Sequence, residues 1–157
     1  MSEPDLERRV ASCDFFSGLA PDVLRVLASH ASPHRLAAGE VLFRYGEPAD
    51  CFYLVESGHV SVEIVAIAGP ALELQDLGPG AVLGWSWLIE PHTWSFQARA
   101  KTAAELLEFD GAAIRARCEQ DPGFGYAVLK RFSALMSERL EFARRKMMEA
   151  WSPPGLP

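Results

Sequence analysis

Nowhere does the chain approach the roughly 20 consecutive apolar residues that a membrane-spanning helix needs, so no membrane role is expected. Its start, MSEPDLERRV, lacks the apolar stretch behind a basic end that marks a secretory signal. Together these two absences point to a cytoplasmic protein. Basic residues are in the minority, 15 Lys and Arg against 21 Asp and Glu, giving a net charge of -6 and a pI near 5.2. That balance argues against general attraction to nucleic acid or anionic lipid. Cysteine is scarce: Cys13, Cys51 and Cys118 are odd in number and far apart, with no C-x-x-C pair. Zinc, iron–sulfur and disulfide frameworks therefore have weak support, and small buried thiols are the expectation. His30, His34, His59 and His92 show no H-x-x-x-H spacing. No G-x-S-x-G, P-loop or spaced carboxylate pair stands out either, so an enzyme is not expected.

What is present reads as one domain over residues 1–151 with a short tail, 152–157. Hydrophobic residues at 49% and charged residues at 23% give an ordinary globular balance. Leu6–Ala11 makes a short helix, followed by a turn carrying Phe15 and Phe16. Pro21 suits the first position of a second helix, in which Val23, Leu24, Leu27 and Ala31 recur at helical spacing. From Arg35 the pattern changes to short β-rich runs: Val41–Phe43, Cys51–Glu56, His59–Val65, Leu72–Leu77, Phe96–Ala100 and Glu105–Phe109. Glycine and proline turns punctuate them, at Gly46-Glu47-Pro48, Ser57-Gly58, Gly69-Pro70 and Gly78-Pro79-Gly80. About seven or eight such strands predict a mostly β fold, a jelly roll flanked by helices.

The last third is helical. Asp110–Glu119 forms a short helix, and Asp121-Pro122 caps a long one running to about Trp151. On that helix Val128, Leu129, Phe132, Leu135, Met136, Leu140, Phe142, Ala143 and Met147 cover about half the circumference, wider than one core contact needs. The excess predicts a homodimer, with Leu129, Phe132, Met136, Ala143 and Met147 on the dimer helix. A lone core helix is the plainer reading of the same residues.

Helix, roll, short helix, long helix resembles the cyclic-nucleotide-binding domain family. The stretch from Gly39 to Gly58, GEVLFRYGEPADCFYLVESG, carries that resemblance most strongly, supported by Phe15-Phe16-Ser17-Gly18-Leu19 and by LGPGAVLG from Leu77 to Gly84. Arg99-Ala100-Lys101-Thr102 and the run from Phe132 to Leu140 are similar to the sensory domain of the catabolite activator protein type. In that type a DNA-binding domain follows. Here the chain stops at Pro157, so no nucleic-acid partner is expected.

The resemblance implies a cassette in which a glutamate holds the ribose and an arginine pairs with the cyclic phosphate. Aligned from Gly84 and from Arg99, the glutamate position falls on Trp85 and the arginine position on Trp94, followed by Ser95. The segment LGWSWLIEPHTWSFQARAKT, Leu83 to Thr102, thus holds three of the chain's four tryptophans, Trp85, Trp87 and Trp94, where charges would be. Positions that would meet the base from the long helix are Ala143 and Arg144. Arg139 matches a family arginine whose glutamate partner is gone. Standard cyclic nucleotide binding is therefore not expected, and no cofactor is. A haem held by His92 is a remote alternative within the same superfamily.

Two readings of the tryptophans follow. They line a pocket for an apolar or aromatic effector, with Gly84, Ser86, His92 or Ser95 helping to orient it, in a regulatory sensor domain that answers to that effector or to a protein partner. Or they collapse inward and leave a dimeric interaction scaffold with a filled pocket and no ligand. A third reading keeps a cyclic nucleotide in a non-standard geometry, with Arg99 or Arg144 as the cation. If the segment after Gly84 is a short helix, Trp85 and Trp87 point to different sides: Trp85 and Trp94 face the pocket, and Trp87 faces the core.

Overall fold

The computed structural model describes residues 2–65 and 67–151, so the tail 152–157 lies outside the described residues. The chain opens with α1 (Glu3–Ala11), a 3₁₀ turn at Asp14–Phe16 and α2 (Pro21–Ser29). Pro21 opens α2, where a missing N–H is harmless. The helix is capped at His30, and Ala31, in phase with its apolar face, instead begins a strand.

Eight strands follow: β1 (Ala31–Leu36), β2 (Val41–Phe43), β3 (Cys51–Ser57), β4 (Val60–Ile64), β5 (Leu72–Leu77), β6 (Val82–Leu83), β7 (Gln97–Ala100) and β8 (Ala104–Asp110). They form two antiparallel four-stranded sheets, ordered β1-β8-β3-β6 and β2-β7-β4-β5, which is the expected jelly roll. Two strands have no counterpart among the β-rich runs of the sequence. β1 reads ASPHRL, with a proline and no alternation. It forms because it is an edge strand paired only with β8, where Pro33 need not donate to a second neighbour. β6 has two residues and is held by pairing to Tyr53 and Leu54 of β3.

Alternation along β3 divides the core. Phe52 and Leu54 point toward the helices, while Tyr53 and Val55 point between the sheets. The helix-side cluster gathers α1, α2 and the first half of the long helix around stacked aromatics. Phe52 lies on Phe109 with ring centres 4.5 Å apart, and Trp87 and Phe132 pack on Phe52 at 5.0 and 4.9 Å. Between the sheets lie Leu36, Phe43, Val55, Leu83, Trp94 and Leu106, among others.

Two aspartates set the C-terminal helices. Asp110 accepts from the Ala113 N–H to start α3 (Gly111–Gln120), and Asp121 accepts from the Phe124 N–H to start α4 (Pro122–Ala150). On α4, Phe124, Val128, Phe132, Leu135 and Arg139 are buried at four- and three-residue steps, the stripe that meets the roll. Phe132 therefore does not belong to a dimer seam: it is 1% exposed, its ring closed in by Phe15, Phe52 and Trp87 of its own chain. Among the described residues no helix is long and apolar enough to cross a membrane.

Candidate functional site

The segment after Gly84 folds as turns rather than as a helix. The Leu88 N–H donates to the Trp85 carbonyl at 2.9 Å, and the His92 N–H to Ile89 at 2.9 Å. One such turn is enough to send Trp85 and Trp87 to different sides. Trp87 is completely buried in the helix-side core, where its Nε1 donates to the Gly84 carbonyl at 3.3 Å. Gly111 is required beside it, since a Cβ there would stand 2.9 Å from the Trp87 Cβ.

Trp94 goes the other way, between the sheets. Its backbone is pinned to the turn before β3: the Gly46 N–H donates to the Trp94 carbonyl at 2.8 Å, and the Trp94 N–H to Glu47 at 2.9 Å. So held, the indole lies flat on Phe43, ring centres 3.7 Å apart and planes 8° from parallel. Its far edge meets Gly84. A Cβ on Gly84 would lie 2.8 Å from Trp94 Cη2, and φ is +106° there, so glycine is needed twice over.

Beside this stack is a partly open cavity of about 150 Å³. Phe43, Val62, Leu74 and Leu83 form its inner wall with Trp94. Trp85, edge-on to Phe96 at 5.9 Å, forms a flank, and Met136, Leu140, Phe142 and Ala143 of α4 form the outer side. Ser86, Gln75 and Arg139 are the polar side chains that line it.

Of the residues singled out from sequence, Gly84, Trp85, Ser86, Trp94, Arg139 and Ala143 meet at this cavity. Trp87, His92, Ser95, Arg99 and Arg144 do not line it. His92 acts through its backbone: its carbonyl accepts from the Ala49 N–H at 2.8 Å, and φ is +57°. Ser95 is exposed. The two substitute cations are engaged elsewhere, Arg99 with Glu63 at 3.4 Å and Arg144 with Glu141 at 3.2 Å. The inner-wall residues Phe43, Val62 and Leu83 carried no functional signal in sequence, because each looks like any inward residue of a strand.

Arg139 is 9% exposed, and its Nη2 donates to the Val82 carbonyl at 2.6 Å, tying α4 to β6 beside the cavity. Burial pushes its pKa below the usual guanidinium range. The thiols are quiet: burial drives Cys51 up to about 11 and raises Cys13 and Cys118. Among the described residues no group of three or more His, Cys, Asp or Glu could hold a metal ion.

Comparison with known proteins agrees with this architecture. The sequence pattern of the cyclic nucleotide-binding domain matches residues 33–121, more than half of the chain, and the chain belongs to that family. It is 34% identical over 113 residues to a cyclic nucleotide-gated potassium channel of Mesorhizobium japonicum, covering 72% of this chain and 30% of the channel. It is 24% identical over 125 residues to a CRP-like cAMP-activated global transcriptional regulator of Mycobacterium tuberculosis, covering 80% of this chain and 56% of the regulator. An acetyltransferase Pat of Mycolicibacterium smegmatis is 40% identical over 75 residues, 48% of this chain and 22% of that enzyme. The chain thus spans between about a fifth and just over half of these relatives. Among solved structures, a cyclic nucleotide-binding domain from Methylobacillus flagellatus superposes with a TM-score of 0.78 at 18% identity, over 98% of this chain and 86% of that one. The sensor domain of the transcriptional regulator DNR from Pseudomonas aeruginosa gives 0.69 at 23%, over 88% and 93%.

The three tryptophans should differ in what they contribute to stability. Trp87→Ala and Trp94→Ala each remove a ring that is at least nine-tenths buried and are expected to lower unfolding free energy by about 3–5 kcal/mol. Trp85→Ala, at a half-buried ring beside an existing cavity, is expected to lower it by no more than about 2 kcal/mol. Urea denaturation checks the order, and equal large losses at all three would mean that the cavity is closed in solution.

Proposed function

We propose that this chain is a regulatory sensor domain whose effector is a small apolar or aromatic molecule rather than a cyclic nucleotide. One observation carries the reading: the positions that the resemblance gives to the ribose glutamate and the phosphate arginine hold Trp85 and Trp94, and both indoles line one apolar cavity. A cyclic phosphate there would lose its hydration against hydrocarbon and aromatic rings, at a cost of several kcal/mol. The volume supports the same choice. Drug-sized ligands occupy roughly 300–1,000 Å³, whereas an apolar cavity near 150 Å³ is the size that takes up benzene.

The output runs through α4 in a homodimer. Met136, Leu140, Ala143 and Met147 follow one another at four-, three- and four-residue steps, with Leu129 one heptad before Met136. This seam lies about a quarter turn round the helix from the buried stripe. Met136, Leu140 and Ala143 belong to the seam and also wall the cavity. An occupant that pushes on these three side chains changes the surface offered to the partner helix, so ligand binding and dimer geometry share one free-energy balance. A dimeric scaffold with no ligand is the second reading, favoured by how completely Trp94 is buried.

Thermal shift and calorimetry separate these readings. Toluene near saturation is expected to raise Tm, because a ligand of the folded state stabilises it, while cAMP and cGMP bind more weakly than about 100 μM. Micromolar affinity for either nucleotide would overturn the apolar-effector reading, and no response to toluene would leave the scaffold. For the dimer, Met147→Glu places a charge in the seam at a side chain that is 69% exposed within its own chain. Light scattering is expected to give dimers for the unaltered protein and monomers for the variant. An unaltered protein that stays monomeric at high concentration contradicts the seam.

A further inference from the structure

A buried guanidinium in an otherwise apolar cavity needs an account, and among the described residues Arg139 has no ion-pair partner in contact, only the more distant charge of Glu138. Among the described residues its side chain makes one hydrogen bond, from Nη2 to the Val82 carbonyl, and its buried Nε has no partner. Among the described residues no carboxylate lies within 4.0 Å of it, although Lys and Arg side chains make eleven such pairs elsewhere along the chain. The side chain also keeps its charge, since a guanidinium does not give up its proton in proteins. Removing such a group from water without a counter-charge is strongly unfavourable.

The surroundings say where a counter-charge can come from. Arg139 stands between two hollows. One is an open cleft of about 510 Å³, bordered by Asp14, Asp76 and Glu138, which repels an anion approaching from that side. The other is the tryptophan-lined cavity, where among the described residues Arg139 is the one charged lining residue and Ser86 and Gln75 add uncharged polar groups. An anion seated there meets the cation among apolar walls, where a charge-assisted hydrogen bond is stronger than in open water.

We propose that the effector is a small aromatic or aliphatic monocarboxylate, its carboxylate on Arg139 and its apolar body against Trp85, Trp94 and Leu140. This deepens the apolar-effector reading and rests on it. A carboxylate in the cavity neutralises the guanidinium there. The space left for the body is about that of a single six-membered ring. Because Arg139 ties α4 to β6, an occupant that draws the guanidinium off the Val82 carbonyl loosens that tie at the same moment.

The test compares benzoate with benzamide, nearly the same shape with and without the charge, and toluene as the uncharged ring, by calorimetry on the purified protein at neutral pH. Benzoate, fully ionised there, is expected to bind at least about tenfold more tightly than benzamide. In Arg139→Met the ratio of the two affinities should collapse toward one, and in Arg139→Lys it should fall to an intermediate value, since a point charge cannot form the paired contact. If toluene binds but benzoate is no tighter than benzamide, the carboxylate inference is overturned and the apolar cavity stands. If none of the three binds, both readings fail. Should Arg139→Met not fold, the comparison on the unaltered protein decides by itself.

Discussion

The Trp94 indole, stacked flat on Phe43 with its edge against Gly84, is the contact on which the site depends. It fills the middle of the roll with a rigid apolar ring at the place where the resemblance puts an arginine. Its position is fixed from both ends. The backbone on either side is paired to the turn at Gly46 and Glu47, and the missing side chain of Gly84 gives the ring room to lie down. With the ring there, the cavity beside it is small and mostly apolar, and the charge on its lining, Arg139, has no carboxylate within ion-pair distance among the described residues.

The same arrangement joins the cavity to the long helix. α4 is anchored by Phe124, Val128, Phe132 and Leu135, all closely packed against the roll. Beyond Leu135 it meets the roll mainly across the cavity, through Met136, Arg139, Leu140, Phe142 and Ala143. The firmly packed half acts as a base, and the half over the cavity is the part that an occupant can shift. A hydrogen bond to one carbonyl and a few apolar contacts are modest ties, within reach of the free energy of a small ligand.

Much of this was legible in the sequence because turns and helix starts are written in local chemistry. Gly58, Gly78-Pro79-Gly80, Asp110 and Asp121-Pro122 mark ends that the fold respects to within a residue or two. β1 was not legible because an edge strand can carry Pro33 and no alternation, and β6 was too short to leave a pattern. Ala31 kept helical phase for one step after the helix had ended at Ser29. In the site, the opposed directions of Trp85 and Trp87 follow from any tight turn, so the reading survives the absence of the expected short helix. What sequence could not supply is the cross-strand neighbourhood. Phe43 meets Trp94 only because two distant segments pair, and Arg99, near the tryptophans in sequence, faces Glu63 instead. Phe132 and Met136 share the apolar arc of α4, yet the first is buried in the helix-side core and the second lines the cavity.

The central claim is that a dry, apolar cavity stands where a phosphate would be bound. Diffraction from crystals held under xenon pressure tests it most directly, since xenon enters apolar cavities of about this size and stays out of polar, hydrated ones. The account predicts a xenon atom among Trp85, Trp94, Leu83 and Leu140. Density there for a network of ordered water in place of xenon, or a Trp85 ring folded in to fill the space, would contradict it.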